Sequence, residues 1–120
     1  MFNGIKYGNI TPTDIDMAIE YKDKARILVE VKHGEKEVPA GQKLLLKRFV
    51  DDFRACGKDA IAIIAQHDVD DVEKDVQVAS CQVREIYYKR KADGTDCEWR
   101  KPNGFFTVEK LIDAFIELNE

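Results

Sequence analysis

Between Ile15 and Tyr21 apolar and polar positions alternate, with Ile15, Met17, Ile19 and Tyr21 in one phase and Asp16, Ala18 and Glu20 in the other. Alternation of this kind predicts a half-buried strand. After Lys22, Asp23 and Lys24 a second alternating run begins, with Ile27, Val29 and Val31 on one side and Arg26, Leu28, Glu30 and Lys32 on the other. The two runs predict a hairpin. Residues directly opposed in an antiparallel pair share a face, so matching the apolar sets brings the polar sets together. A loop of Lys22 to Lys24 then sets Asp16 across from Glu30, with Lys32 on the same face.

Further along, Pro39 suits the first turn of a helix that runs to about Cys56 and stops at Gly57. Its inner stripe holds Leu45, Leu46, Phe49 and Phe53, with Gln42 one turn before Leu46, while Lys43, Lys47, Arg54 and Lys58 are expected to face solvent. The run Ala60 to Ala65 is apolar in both phases, as a parallel strand covered on two sides would be, so strand, helix and strand predict a right-handed crossover. Asp68 to Asp75 reads as an acidic loop or short helix. Val78 to Lys91 predicts another strand, which Ala92-Asp93-Gly94-Thr95 turns back through Cys97 to Arg100. Thr107 can cap a last amphipathic helix carrying Val108, Leu111, Ile112, Phe115 and Ile116. The expected fold is α/β with a mixed sheet.

The length of 120 residues suits one domain, taken as 1–120, and 44% hydrophobic with 35% charged residues is a globular composition. No stretch approaches a membrane span and the start MFNGIKYGNITP has no apolar signal-peptide core, so a cytoplasmic location without membrane contact is expected. Cys56, Cys81 and Cys97 form no metal-binding spacing and are read as reduced and mostly buried. A net charge of −4 argues against general coating of nucleic acid, which scales with the phosphates neutralised, so any such contact needs a local basic patch.

Asp16, Glu30 and Lys32 suggest phosphodiester chemistry. Hydrolysis needs charge neutralised on the phosphate and a nucleophile made from water, and a divalent metal on carboxylates supplies both. Asp16 and Glu30 offer two oxygen ligands for Mg²⁺ or Mn²⁺, and the backbone carbonyl of Val31 a third. Lys32 is placed to orient the water or to stabilise developing charge.

The segments ITPTDID and ILVEVKHG, joined by a hairpin and followed by a helix opening GQKLLL, resemble the core of the PD-(D/E)XK nuclease superfamily, over roughly residues 4 to 67. The likeness is to small phage and prophage members related to Holliday-junction resolvases and RecB-type nuclease domains. It implies a restriction-endonuclease-like mixed sheet with flanking helices, and a Mg²⁺-dependent deoxyribonuclease acting on DNA, with branched or junction DNA as one substrate. It gives the metal-ligand role to Asp16 and Glu30, the catalytic lysine role to Lys32, and an auxiliary role near metal or phosphate to Gln42. Asp14 shares the strand phase of Asp16; Asp16 is preferred because an apolar residue precedes it.

His33 falls in the opposite phase to Lys32 and is read as structural or surface; His67 is expected at the same sheet end as Lys32. The ribbon Tyr87 to Lys101, with Lys89, Arg90, Lys91, Trp99, Arg100 and Lys101, has the basic and aromatic character of a nucleic-acid contact, and equally that of an edge hairpin guarded by lysine. A homodimer would help so small a chain hold a branched substrate. Two other readings stand beside the nuclease: an inactive nucleic-acid-binding module that keeps the fold, and a phage adaptor protein using its acidic surface.

Overall fold

A computed structural model describes residues 17–33, 37–67, 78–88 and 99–120. It is a mixed α/β structure: strands β1 (Met17–Tyr21), β2 (Ala25–His33), β3 (Asp59–His67) and β4 (Gln82–Tyr88), with helices α1 (Ala40–Ala55) and α2 (Val108–Leu118). The sheet runs β1-β2-β3-β4, antiparallel at both outer pairs and parallel between β2 and β3.

The hairpin forms as the alternation demands. Tyr21 pairs with Ala25 and Met17 with Val29, and Lys24 N donates to Tyr21 O at 2.9 Å. Lys22 and Asp23 take left-handed backbone conformations, which brings the chain round within the three intervening residues. Lys58 holds Asp23 at 2.6 Å and keeps its carboxyl below the usual carboxylate range.

Because β2 returns to the sheet as the parallel neighbour β3, helix α1 must cross one face between them. On that face Leu46 and Val50 bury against Ala18, Leu28, Ala60, Ala62 and Tyr87. The other face is covered by α2, whose Val108 and Phe115 meet Ile27, Val29, Ile61, Ile63 and Val83. Thr107 caps α2 by accepting from Lys110 N at 3.3 Å, and Gly57, with φ of 84°, ends the turn after α1 as expected.

Some expectations shift. The segment from Val78 opens with a short 3-10 turn, Val78–Ser80, before β4 begins at Gln82. Val50, not assigned to the inner stripe of α1, is fully buried, whereas Leu45 is only half-buried. Lys43 does not simply face solvent, since it pairs with Glu85 of β4 at 2.7 Å, whereas Lys47 stays solvent-facing and pairs with Asp51 one turn on in the same helix at 2.8 Å. Cys81 is buried as expected, but Cys56 is exposed beyond the helix end. Among the described residues no helix is long and apolar enough to cross a membrane.

Candidate functional site

Strand periodicity sends Leu28, Glu30 and Lys32 to the α1 face. Glu30 is 1% exposed, a carboxylate inside the protein. Lys32 Nζ lies 3.1 Å from Glu30 Oε1, and its own side chain is 15% exposed, so the pair sits at the margin between core and solvent. A carboxylate this deep costs several kcal/mol of lost hydration, on the order of what its lysine partner returns.

The sheet register extends the site sideways. Glu30 pairs with Ile64 and Ile64 with Glu85, so a row across three strands carries a carboxylate on either side of a buried isoleucine. At Ile64/Ala65 the partner in β4 jumps from Glu85 to Val83, leaving Arg84 as the extra residue of a bulge. Lys43, in the first turn of α1, reaches Glu85 and lies 5.6 Å from the centre of the Trp99 ring. The start of α1 therefore stands over this row. Gln42 is in that same first turn, and its Oε1 is buried with no hydrogen-bond partner among the described residues. Such an oxygen costs roughly 1–3 kcal/mol unless something donates to it or coordinates it.

Beside Glu85 opens a polar cleft of about 420 Å³ lined by Glu37, Gln82, Arg84, Lys101 and Pro102. Lys101 thus lies in the same cleft as Glu85, and Arg100, exposed, exchanges backbone hydrogen bonds with Ile86 at 2.8 and 3.0 Å. Tyr87, offered by the ribbon to nucleic-acid bases, is buried instead. Its hydroxyl donates to Asp51 at 2.7 Å and its ring meets Trp99 at 5.5 Å. Burial, with the bond to Asp51, pushes that hydroxyl up to about 12.

Of the expected site residues, the structure brings Glu30, Lys32 and the start of α1 with Gln42 to one face, with Val31 between the first two on β2. Asp16 lies outside the described residues, as do Asp14, Lys89, Arg90 and Lys91. The β1/β2 register from which Asp16 is expected to oppose Glu30 is present as far as Met17. Among the described residues no group of three or more His, Cys, Asp and Glu could hold a metal ion.

Two features had no clear sign in the sequence. Glu85 reads as one charge in an alternating strand, and only the bulge and Lys43 tie it to the site. Asp59, 4% exposed, accepts from Tyr88 Oη at 3.1 Å, Asn119 Nδ2 at 3.0 Å and Ala60 N at 3.0 Å, joining the start of β3 to the end of α2. That role is structural. The chain matches no protein-family model, no curated protein and no solved structure.

Proposed function

We propose that this protein is a Mg²⁺-dependent DNA nuclease with a restriction-endonuclease-like core. The observation that carries the reading is the Glu30–Lys32 pair: a carboxylate 1% exposed, 3.1 Å from a lysine, on the sheet face that helix α1 covers. Packing gives no reason to place a charge there when Leu28 and Ile64 occupy the neighbouring positions.

The donor chemistry fits a hard cation. Glu30 offers carboxylate oxygen and Gln42 a buried amide oxygen, the hard oxygen donors that Mg²⁺ prefers. The Val31 carbonyl and Asp16 complete the proposed set. Mg²⁺, when bound, neutralises phosphate charge and lowers the pKa of a bound water. Lys32 holds the attacking water by hydrogen bonding and balances charge that grows on the phosphate. Gln42 orients the phosphate or that water. Arg100 and Lys101, beside the cleft, take backbone phosphates, with Lys89, Arg90 and Lys91 as the remainder of the basic ribbon.

Cleavage of linear, flap and four-way DNA with Mg²⁺ or Mn²⁺ tests this, beside melting curves at rising metal concentration. The wild type should cut and gain Tm with metal. Glu30→Gln should lose both responses. Lys32→Ala should keep the metal-dependent Tm and lose about 10²–10³-fold in rate, the usual loss of a group that stabilises the transition state. No metal-dependent shift at millimolar concentrations together with no cleavage would end the nuclease reading and leave a nucleic-acid-binding module.

A further inference from the structure

His33 and His67 end β2 and β3, and the parallel register makes them direct neighbours. They fall in the phase of Val29 and Ile63, so they sit on the α2 face, opposite the Glu30–Lys32 pair. Their ring centres are 5.0 Å apart with planes inclined at 70°. His33 is exposed and His67 partly so. The nuclease reading makes no use of either residue.

We propose that these two imidazoles form a bidentate site for a transition-metal ion of the Zn²⁺, Ni²⁺ or Cu²⁺ class. Metal–imidazole bonds near 2.0–2.1 Å put each ring centre about 3.2 Å from the ion, so two rings on one metal are about 4.5 Å apart at a right angle and about 5.2 Å apart in a tetrahedron. The observed 5.0 Å lies between these, so coordination needs rotation of the rings without movement of either strand. Imidazole favours these metals over Mg²⁺, which keeps the site chemically separate from the oxygen-lined row on the other face. Each ring has two nitrogens, so one can coordinate while the other keeps a hydrogen bond within the protein. Water fills the remaining positions, as the exposure of His33 allows. A bound ion ties the ends of the two central strands together one residue beyond the Lys32–Gln66 pair.

The chain contains two histidines, and they are these two, which makes the test direct. In untagged ¹⁵N-labelled protein titrated with Zn²⁺, both imidazole spin systems should shift together and saturate at one equivalent. Tm should rise over the same range, while Mg²⁺ at equal concentration moves neither imidazole. His33→Ala should weaken Zn²⁺ binding by more than about tenfold, since loss of even a group that only supports a ligand costs at least that. His67→Gln, which keeps side-chain bulk at the less exposed position, should do the same. Glu30→Gln should leave the Zn²⁺ midpoint unchanged, so this site can fail or survive independently of the nuclease reading. A response from one imidazole or none, an unchanged midpoint in His33→Ala, or loss of the response in Glu30→Gln would each overturn the proposal.

Discussion

On the α2 face, β2 and β3 present Ala25, Ile27, Val29, Ile61, Ile63 and Ala65, and α2 closes over them with Val108 and Phe115. On the α1 face the same strands present Arg26, Leu28, Glu30 and Lys32 beside Ala60, Ala62, Ile64 and Gln66. Register, strand length and twist are common to both faces, so the difference lies in the side chains alone. The α2 face follows apolar burial along most of its length, with Asp59 satisfied at one end by three donors. The α1 face is apolar beneath Leu46 and Val50 and turns polar toward the C-terminal ends of the strands. Stability is concentrated on one side, and on the other some of it is given up to hold Glu30 away from water.

The largest expected effect tests that division in adjacent residues. Ile63 and Ile64 are both fully buried, one toward α2 and one toward α1. Ile63→Ala should cost about 2–5 kcal/mol, since the close-packed side can collapse only in part around the cavity. Ile64→Ala should cost less, because Glu30 and Glu85 flank it in the register and a polar cavity can take up water. Urea denaturation of both variants measures the difference. Equal losses would mean that the two faces are packed alike.

Next comes the pair itself. Replacing both Glu30 and Lys32 by Met should leave stability unchanged or raise it by about 1–4 kcal/mol, as for other buried ion pairs exchanged for apolar residues, and should remove the cleavage that the proposed nuclease function requires. Lys32→Met alone should destabilise, because it leaves the Glu30 carboxylate buried beside an apolar chain. A double variant less stable than either single variant would show the pair to be a structural element of the core.

Much of this contrast is legible in the sequence. Alternation through Ile19, Ile27 and Val29 sets the phase of both strands, and that phase alone sends Glu30 and Lys32 to one face. The doubly apolar run Ala60 to Ala65 marks a covered parallel strand, as found. What local pattern cannot supply is contact between distant segments. Lys43 reads as solvent-facing because helical periodicity describes one helix, whereas its partner Glu85 depends on how β4 lies beside α1. Tyr87 reads as a surface aromatic in a basic ribbon, but α1 and Trp99 cover it. Nor does any local signal announce a bulge at Arg84, since one extra residue alters the phase only relative to a partner strand.

Tyr87 gives the α1 face a pH signature. Burial, and then the bond to Asp51, raises its hydroxyl from 10.0 to about 12, so the folded protein keeps a proton that the unfolded chain releases. Its contribution to stability is therefore complete below about pH 10 and lost as the pH climbs toward 12. Denaturation midpoints from neutral pH to pH 12 should fall more steeply for the wild type than for Tyr87→Phe. Parallel curves would show that Tyr87 is not held neutral by its surroundings.

The smallest expected effect concerns how the two helices begin. Helix α1 starts after Pro39 with no side-chain cap, its first turn closed by Gln42 N and Lys43 N donating to Pro39 O at 3.0 and 3.1 Å. Helix α2 starts at Thr107, whose hydroxyl accepts from Lys110 N. The second helix is shorter, and both of its buried residues, Val108 and Phe115, contribute to the apolar face. Loss of its cap should reach the core through Val108, the residue immediately after the cap. Thr107→Ala should cost about 1 kcal/mol, the usual value for a capping hydroxyl. Amide hydrogen exchange gives the site-resolved reading: the Lys110 amide should exchange faster in the variant, while amides in the middle of α1 change only by the global loss. Equal Lys110 exchange in both proteins would show that α2 is held by Val108 and Phe115 alone.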